Sequence, residues 1–241
     1  MRQWLQTCDT KHREFACHLS KRDNSTESES ERRKRLPTRL IAVGADGDDT
    51  VRLLQTAHSD TGEWIALSHQ WGPGPHFSTT RSNLDSHLNG IKLTTLPATF
   101  RDAVIVARAL GLKYLWIDSI CIIQGKDGDF NQEAERMEEV YSGAYCVLAA
   151  SRAASHFAGF LSPGKAREFV ALTQDKRSAP FYICEMIDDF KSHVLGGALS
   201  SRGWVMQEHA LARRTIFFTD HQTYWECGEG VRCETMTKMK K

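Results

Sequence analysis

Glu208 follows Trp204 by four residues in RGWVMQEHALAR. At helical spacing the two side chains share one face, a turn apart. An indole wall beside a carboxylate can stack a flat ring and set negative charge near an electron-poor sugar carbon. The same carboxylate can equally pair with Arg202 or Arg213. A second group, Ser68, His69, Gln70 and Trp71, closes the apolar run EWIALSHQW ahead of GPGP. A hydroxyl, an amide and an indole at one strand end can hold a polar ring or a ribose, or they can serve as turn chemistry around a packed Trp. Asp118 lies within the apolar run KYLWIDSICII. A carboxylate there must be paired, hydrogen-bonded or protonated. At the carboxyl end of a parallel strand it would line the ligand crevice of an open α/β sheet; it can also cap a neighbouring loop.

The seven cysteines are odd in number and scattered. With no apolar signal segment ahead of them, they read as reduced thiols rather than as a disulfide framework. Strand alternation over WIDSICII sets Cys121 with Leu115, Ile117, Ser119 and Ile123. No cation stands near it in sequence, so it reads as an inert core thiol. Cys8, His12, Cys17 and His18 form a C-x3-H-x4-C-H cluster that can be drawn as four zinc ligands. The spacing is not that of a standard finger, and the sequence reading assigns no metal.

The elements that must carry these groups are legible in the spacing of apolar residues. Residues 1–19 read as a helical lead-in with Trp4, Leu5, Cys8, Phe15 and Leu19 at irregular helical spacing, and 20–35 as a polar linker unable to build a core. LPTRLIAV and TVRLLQT flank the turn-rich GADGDD, which predicts a hairpin. EWIALSHQW predicts a strand. In TLPATFRDAVIVARALG, Phe100, Ala103, Val104, Ala107 and Leu110 fall on one helical face, between Pro97 near the first turn and Gly111 at the end. Strands are expected at 64–70, 113–122 and 145–150, adjacent and mainly parallel, with helices at 97–110 and 131–143 packed on the sheet. REFVALTQ and PFYICEMID predict an inserted β-hairpin, RGWVMQEHALAR a helix, RRTIFFTD and QTYWEC two strands, and residues 228–241 a C-terminal tail whose basic end, TMTKMKK, is expected to fray.

Of the 241 residues, 41% are hydrophobic and 25% charged, with a net charge of +1. That balance excludes fibrous and wholly disordered chains and gives no general pull toward nucleic acid. No stretch approaches the roughly 20 apolar residues of a membrane span.

Taken in order, WIALSHQWG, LPATFRDAVIVARALGLKYLWIDSICIIQ, EAERMEEVYSGAYCVLAAS and RGWVMQEHALARRTIFF resemble the heterokaryon incompatibility (HET) domain of fungal proteins. The lead-in WLQTC…H, the following LPTRLI and the closing WEC are similar as well, so the resemblance spans roughly residues 36–227. It implies a cytoplasmic effector of non-self recognition that acts in programmed cell death, through self-association or an incompatibility partner protein. The HET domain is in turn similar to the Toll and interleukin receptor (TIR) fold, which implies a flavodoxin-like parallel sheet flanked by helices. Some TIR domains cleave NAD with the glutamate of a W-C-x-x-E motif. The matching stretch here is Trp204 to Glu208, with Val205 in place of the cysteine. Carried over, the resemblance implies Glu208 as the catalytic carboxylate, with Ser68, Trp71, Asp118 and Trp204 as substrate-binding residues. NAD enters as substrate, with no resident cofactor. A non-enzymatic assembly module is the other implied reading.

Overall fold

The computed structural model describes residues 1–12, 17, 35–162, 168–173, 181–184, 188–201, 203–234 and 237–239, and within them the side chains of Cys184 and Trp204 are not described. Phe15, His18, Leu19 and the polar run 20–34 lie outside the described residues.

The chain opens with helix α1 (Arg2–Lys11), which buries Trp4, Leu5 and Cys8. Strands β1 (Arg39–Ala42) and β2 (Thr50–Gln55) form the expected antiparallel hairpin. Next come β3 (Trp64–Ser68), β4 (Thr79–Thr80), α2 (Leu84–Asn89) and β5 (Ile91–Lys92). Helix α3 (Ala98–Leu110) buries Phe100, Ala103, Val104 and Ala107, the face that the spacing predicts. Pro97 caps its start. Gly111 ends it in the left-handed region (φ 80°), with its N–H returned to the carbonyls of Ala107 and Arg108, a conformation that costs a residue with a Cβ about 1 kcal/mol or more.

Beyond α3 the segment expected as one strand over 113–122 is divided. Strand β6 (Tyr114–Trp116) stops short of Asp118, and Asp118–Cys121 is a helical turn, α4. The alternation drawn through Cys121 therefore does not apply. The turn closes through backbone bonds, the N–H of Cys121 to the Ile117 carbonyl at 2.7 Å and that of Ile122 to the Asp118 carbonyl at 3.0 Å, while Asp118 Oδ1 accepts the N–H of Ser119 at 2.7 Å. Strand β7 (Ile123–Gln124) follows, and the helix expected over 131–143 is two, α5 (Phe130–Glu135) and α6 (Met137–Gly143), meeting at Arg136. The chain continues through β8 (Cys146–Ala149), the antiparallel pair β9 (Phe169–Leu172) and β10 (Phe181–Cys184), a π-helical turn at Lys191–Leu195 and α7 (Gly203–Leu211). It ends in β11 (Arg214–Phe218), β12 (Thr223–Cys227), β13 (Gly230–Cys233) and β14 (Lys238–Met239), so the C-terminal tail adds two strands, the second within TMTKMKK, the end expected to fray.

The main sheet has ten strands in the order β14-β13-β12-β11-β8-β3-β6-β1-β2-β5. Its centre, β11-β8-β3-β6, is parallel, and antiparallel strands extend both sides. The chain is thus a mixed α/β protein, with β3, β6 and β8 adjacent and parallel as expected. Every residue of β3, β8 and β11 is buried, as befits strands covered on both faces. In β11, Ile216 and Phe218 join one core with Trp64, Trp116 and Trp225, while Phe217 between them joins a second core with Phe190, Val205 and Tyr224. The alternation puts these cores on opposite faces of the sheet. Burying each large apolar side chain contributes roughly 1.5–3 kcal/mol.

Candidate functional site at the carboxyl edge of the parallel strands

Because β3, β6 and β8 run the same way, their carboxyl ends share one edge. Ser68 ends β3, Asp118 opens the turn two residues past β6, and the loop after β8 carries His156. The indole N–H of Trp71 donates to Asp118 Oδ2 at 2.9 Å, and Asp118 Oδ1 lies 3.9 Å from His69 Nδ1. His156 completes the group: its ring centroid is 4.9 Å from that of His69, 5.5 Å from Trp71, 5.3 Å from His76 and 4.7 Å from Phe100. His69 and His156 are buried, Trp71 and Asp118 half-buried, and His76 is exposed.

The loops bearing these rings are held by backbone contacts. The N–H of Thr99, in the first turn of α3, donates to the carbonyl of His156 at 2.9 Å, and its hydroxyl donates to the carbonyl of Ser155 at 2.8 Å. Asp102 accepts the N–H groups of Phe160 and Leu161. Gly72, at φ 75°, lets the β3 loop lie against Ser155; a Cβ at this position would sit 2.3 Å from Ser155 Cβ. This is the close approach that the Gly-Pro sequence after Trp71 permits.

A carboxylate that accepts an indole N–H on one oxygen and a backbone N–H on the other is held in one orientation beside the imidazoles. The structure thus brings Trp71 and Asp118 together. Ser68 is buried and lines a small cleft with Val205, Ser200 and His209. Glu208, 7% exposed, lines a different cavity of about 380 Å³ against α5 and α6, with Glu135, Glu138, Met137 and Tyr141. Helix α7 turns Val205 and His209 toward the sheet and Glu208 toward α6. The side chain of Trp204 lies outside the described part. His69, His76 and His156 were missed as a group, since only the adjacency of His69 to Ser68 pointed to the first, and nothing near His156 sets it at this edge.

Burial pushes the Cys121 thiol up to about 12, against the lowering effect of the Ile117 backbone, so it is protonated at neutral pH. Elsewhere Cys8, His12, Cys17 and Cys227 converge in a buried cluster. None of the described helices is long and apolar enough to cross a membrane.

Comparison with curated proteins and with solved structures finds no match. The family model for the heterokaryon incompatibility protein (HET) matches residues 64–208, from the first residue of β3 to Glu208. That stretch is more than half of the chain and holds Ser68, Trp71, Asp118, His156 and Glu208, so this protein belongs to the heterokaryon incompatibility family.

Proposed function

We propose that this protein acts in heterokaryon incompatibility as an effector of fungal non-self recognition whose activation leads to cell death, and that its chemistry is cleavage of NAD at the nicotinamide-ribose bond. The observation that carries the reading is the order of the parallel strands. Counted along the chain, β3, β6, β8 and β11 stand in the sheet as 2-1-3-4, an order shared with flavodoxin-like sheets. In such sheets ligands bind beyond the carboxyl ends of the strands, where the order reverses. Here that point lies between β3, followed by Ser68 and Trp71, and β8, followed by His156, and Asp118 beyond β6 is tied to it through Trp71. The resemblance to NAD-cleaving TIR domains rests on Trp204 to Glu208 and on LSHQWG at the end of β3.

In this reading the C1′–N bond breaks with its electron pair passing to the nicotinamide nitrogen. An oxocarbenium-like ribose remains, and water then attacks C1′ and releases a proton. Glu208 stabilises the developing positive charge. Its cavity carries three carboxylates, Glu135, Glu138 and Glu208, beside Tyr141, a lining suited to the cationic nicotinamide ring. Asp118 and Ser68, the residues expected to hold ribose hydroxyls, and Trp71, expected to stack the ring, do not line this cavity, so the reading requires α7 to bring Glu208 to them when the protein is activated.

The separation of Ser68 and Glu208 into two cavities favours a second reading, a non-enzymatic module that signals by self-association. The pair β9-β10 supports it, for it exposes Phe169, Val170, Leu172, Phe181, Tyr182 and Ile183, an apolar surface that a second copy of the chain would cover.

Incubating clustered wild-type protein with NAD and measuring free nicotinamide tests both. The expected result is release, reduced roughly a hundredfold by Glu208→Gln, because an electrostatic contribution on the order of 3 kcal/mol is removed while side-chain shape is kept. Ser68→Ala should weaken substrate positioning without unfolding β3. Undiminished release by folded Glu208→Gln removes Glu208 from the reaction. No release by clustered wild type, with cell killing intact, establishes the assembly reading.

A further inference from the structure

The N-terminal helix and the end of β12 meet at a group of side chains that the proposed chemistry does not use. Cys8, His12, Cys17 and Cys227 each direct one ligand atom to a common point, and these four atoms all lie within 4.8 Å of one another. All four residues are buried, Cys8 and Cys17 completely. His12 Nδ1 is 3.5 Å from Cys227 Sγ, although 215 residues separate them in sequence. Tetrahedral coordination at the usual Zn–S and Zn–N lengths requires S···S separations of about 3.8 Å and S···N separations of about 3.6 Å, so the cluster needs only a small contraction.

We propose that Cys8, His12, Cys17 and Cys227 bind a structural zinc ion that clamps the N-terminal helix to the end of β12. Three thiolates and one imidazole in a closed, four-ligand, buried set are the donors of a structural zinc site rather than of a catalytic one, which keeps an open position. The backbone is arranged for this. Cys8 and His12 are one helical turn apart, and His12 is the residue that ends α1, its N–H donating to the Cys8 carbonyl at 3.2 Å. Cys17 is held from outside the cluster by Arg213, whose guanidinium donates to its carbonyl at 3.2 Å. With Nδ1 toward the metal, the other ring nitrogen of His12 faces the Glu229 carboxylate at 3.9 Å, the type of outer partner that orients ligating histidines. Glu229 is itself fixed by Lys238 at 2.6 Å and Arg232 at 3.1 Å. On binding, the thiol protons pass to solvent, and the buried Arg214, paired with Asp9 at 2.7 Å, stands opposite Cys227 on the neighbouring strand.

The site differs from the one drawn in sequence in a single ligand. Cys227 takes the fourth place, and His18 lies outside the described residues. All four ligands also lie outside residues 64–208, so the clamp is a feature of the segments flanking the family match. It adds to the Trp4–Trp225 stacking and the Asp9–Arg214 pair in holding a ten-residue helix beside β11 and β12.

The experiment is metal analysis of full-length protein purified without chelator. One zinc per chain is expected, lost in Cys8→Ser and in Cys227→Ser and retained in Cys121→Ala, which removes a buried thiol elsewhere. Should the serine variants fail to fold, His12→Cys keeps the test decisive: it should retain metal, and cobalt substitution should show stronger thiolate-to-cobalt charge transfer than in wild type. Folded wild-type protein that takes up neither zinc nor cobalt overturns the proposal. So does metal retained in folded Cys227→Ser, or a disulfide within the cluster in freshly purified protein.

Discussion

The indole N–H of Trp71 and the Oδ2 of Asp118, 2.9 Å apart, tie together the carboxyl ends of two adjacent parallel strands, β3 and β6. The bond joins two residues that the sequence could only nominate separately. Trp71→Phe keeps most of the ring and removes the donor, at an expected cost of about 1 kcal/mol. Asp118→Ala removes the acceptor and should cost a similar amount or more. In a double-mutant cycle by urea denaturation the two should show coupling of about 1 kcal/mol, and additive effects would mean that the bond does not contribute.

Gly72→Ala should be more damaging than its size suggests. The new Cβ would meet Ser155 Cβ at 2.3 Å and Ser155 Cα at 2.9 Å, on a backbone with φ 75°. Steric overlap and left-handed strain together should cost about 3 kcal/mol. Adding Ser155→Gly should recover part of this by opening space. If melting of Gly72→Ala matches wild type, the β3 loop does not lie against Ser155.

Arg39 is buried on β1, paired with Asp129 and donating through Nε to the carbonyl of Cys121 at 2.7 Å. Asp129 also accepts the Ile123 N–H at 2.8 Å, so one guanidinium and one carboxylate hold both the α4 turn and the start of β7. Arg39→Met should destabilise by about 3–5 kcal/mol, because it leaves a largely buried carboxylate without its cation. Chemical denaturation measures this. A loss below about 1 kcal/mol would show that the pair behaves as if exposed.

Acidification should loosen the second core. His193 stacks on His221 with ring centroids 3.8 Å apart, and its Nδ1 lies 2.6 Å from the Tyr224 hydroxyl. Burial, reinforced by repulsion from His221 and opposed by Asp189, lowers the His193 pKa from 6.5. The unfolded chain therefore takes up its proton first as pH falls through 6.5, and stability drops until the folded form is protonated too. The melting temperature should decrease from about pH 7.5 to about pH 5.5, and less so in His193→Gln. An equal decrease in both proteins would assign the effect to other groups.

Local patterns in the sequence determined much of the scaffold. The period of Phe100, Ala103, Val104 and Ala107, bounded by Pro97 and Gly111, specifies α3, since helical spacing and end-capping act within a few residues. Fully apolar WIALS and CVLA specify central strands, because such runs are stable only when covered on both faces. The motifs that mark the family were legible for the same reason. Asp118 was legible as an oddity but not as a helix start: the apolar residues around it fit a strand and a turn equally well, and the backbone bonds that close the turn from Ile117 and Asp118 are seen only in the structure. Glu208 and Ser68 were each nominated from neighbours in sequence, yet only the packing of α7 directs one toward α6 and the other toward the Val205 side. The tertiary structure alone decided that His156 meets Trp71, and that Cys227 rather than a residue near Cys17 joins the N-terminal thiols. No spacing encodes a contact across 215 residues; the strand order that places β12 beside α1 creates it.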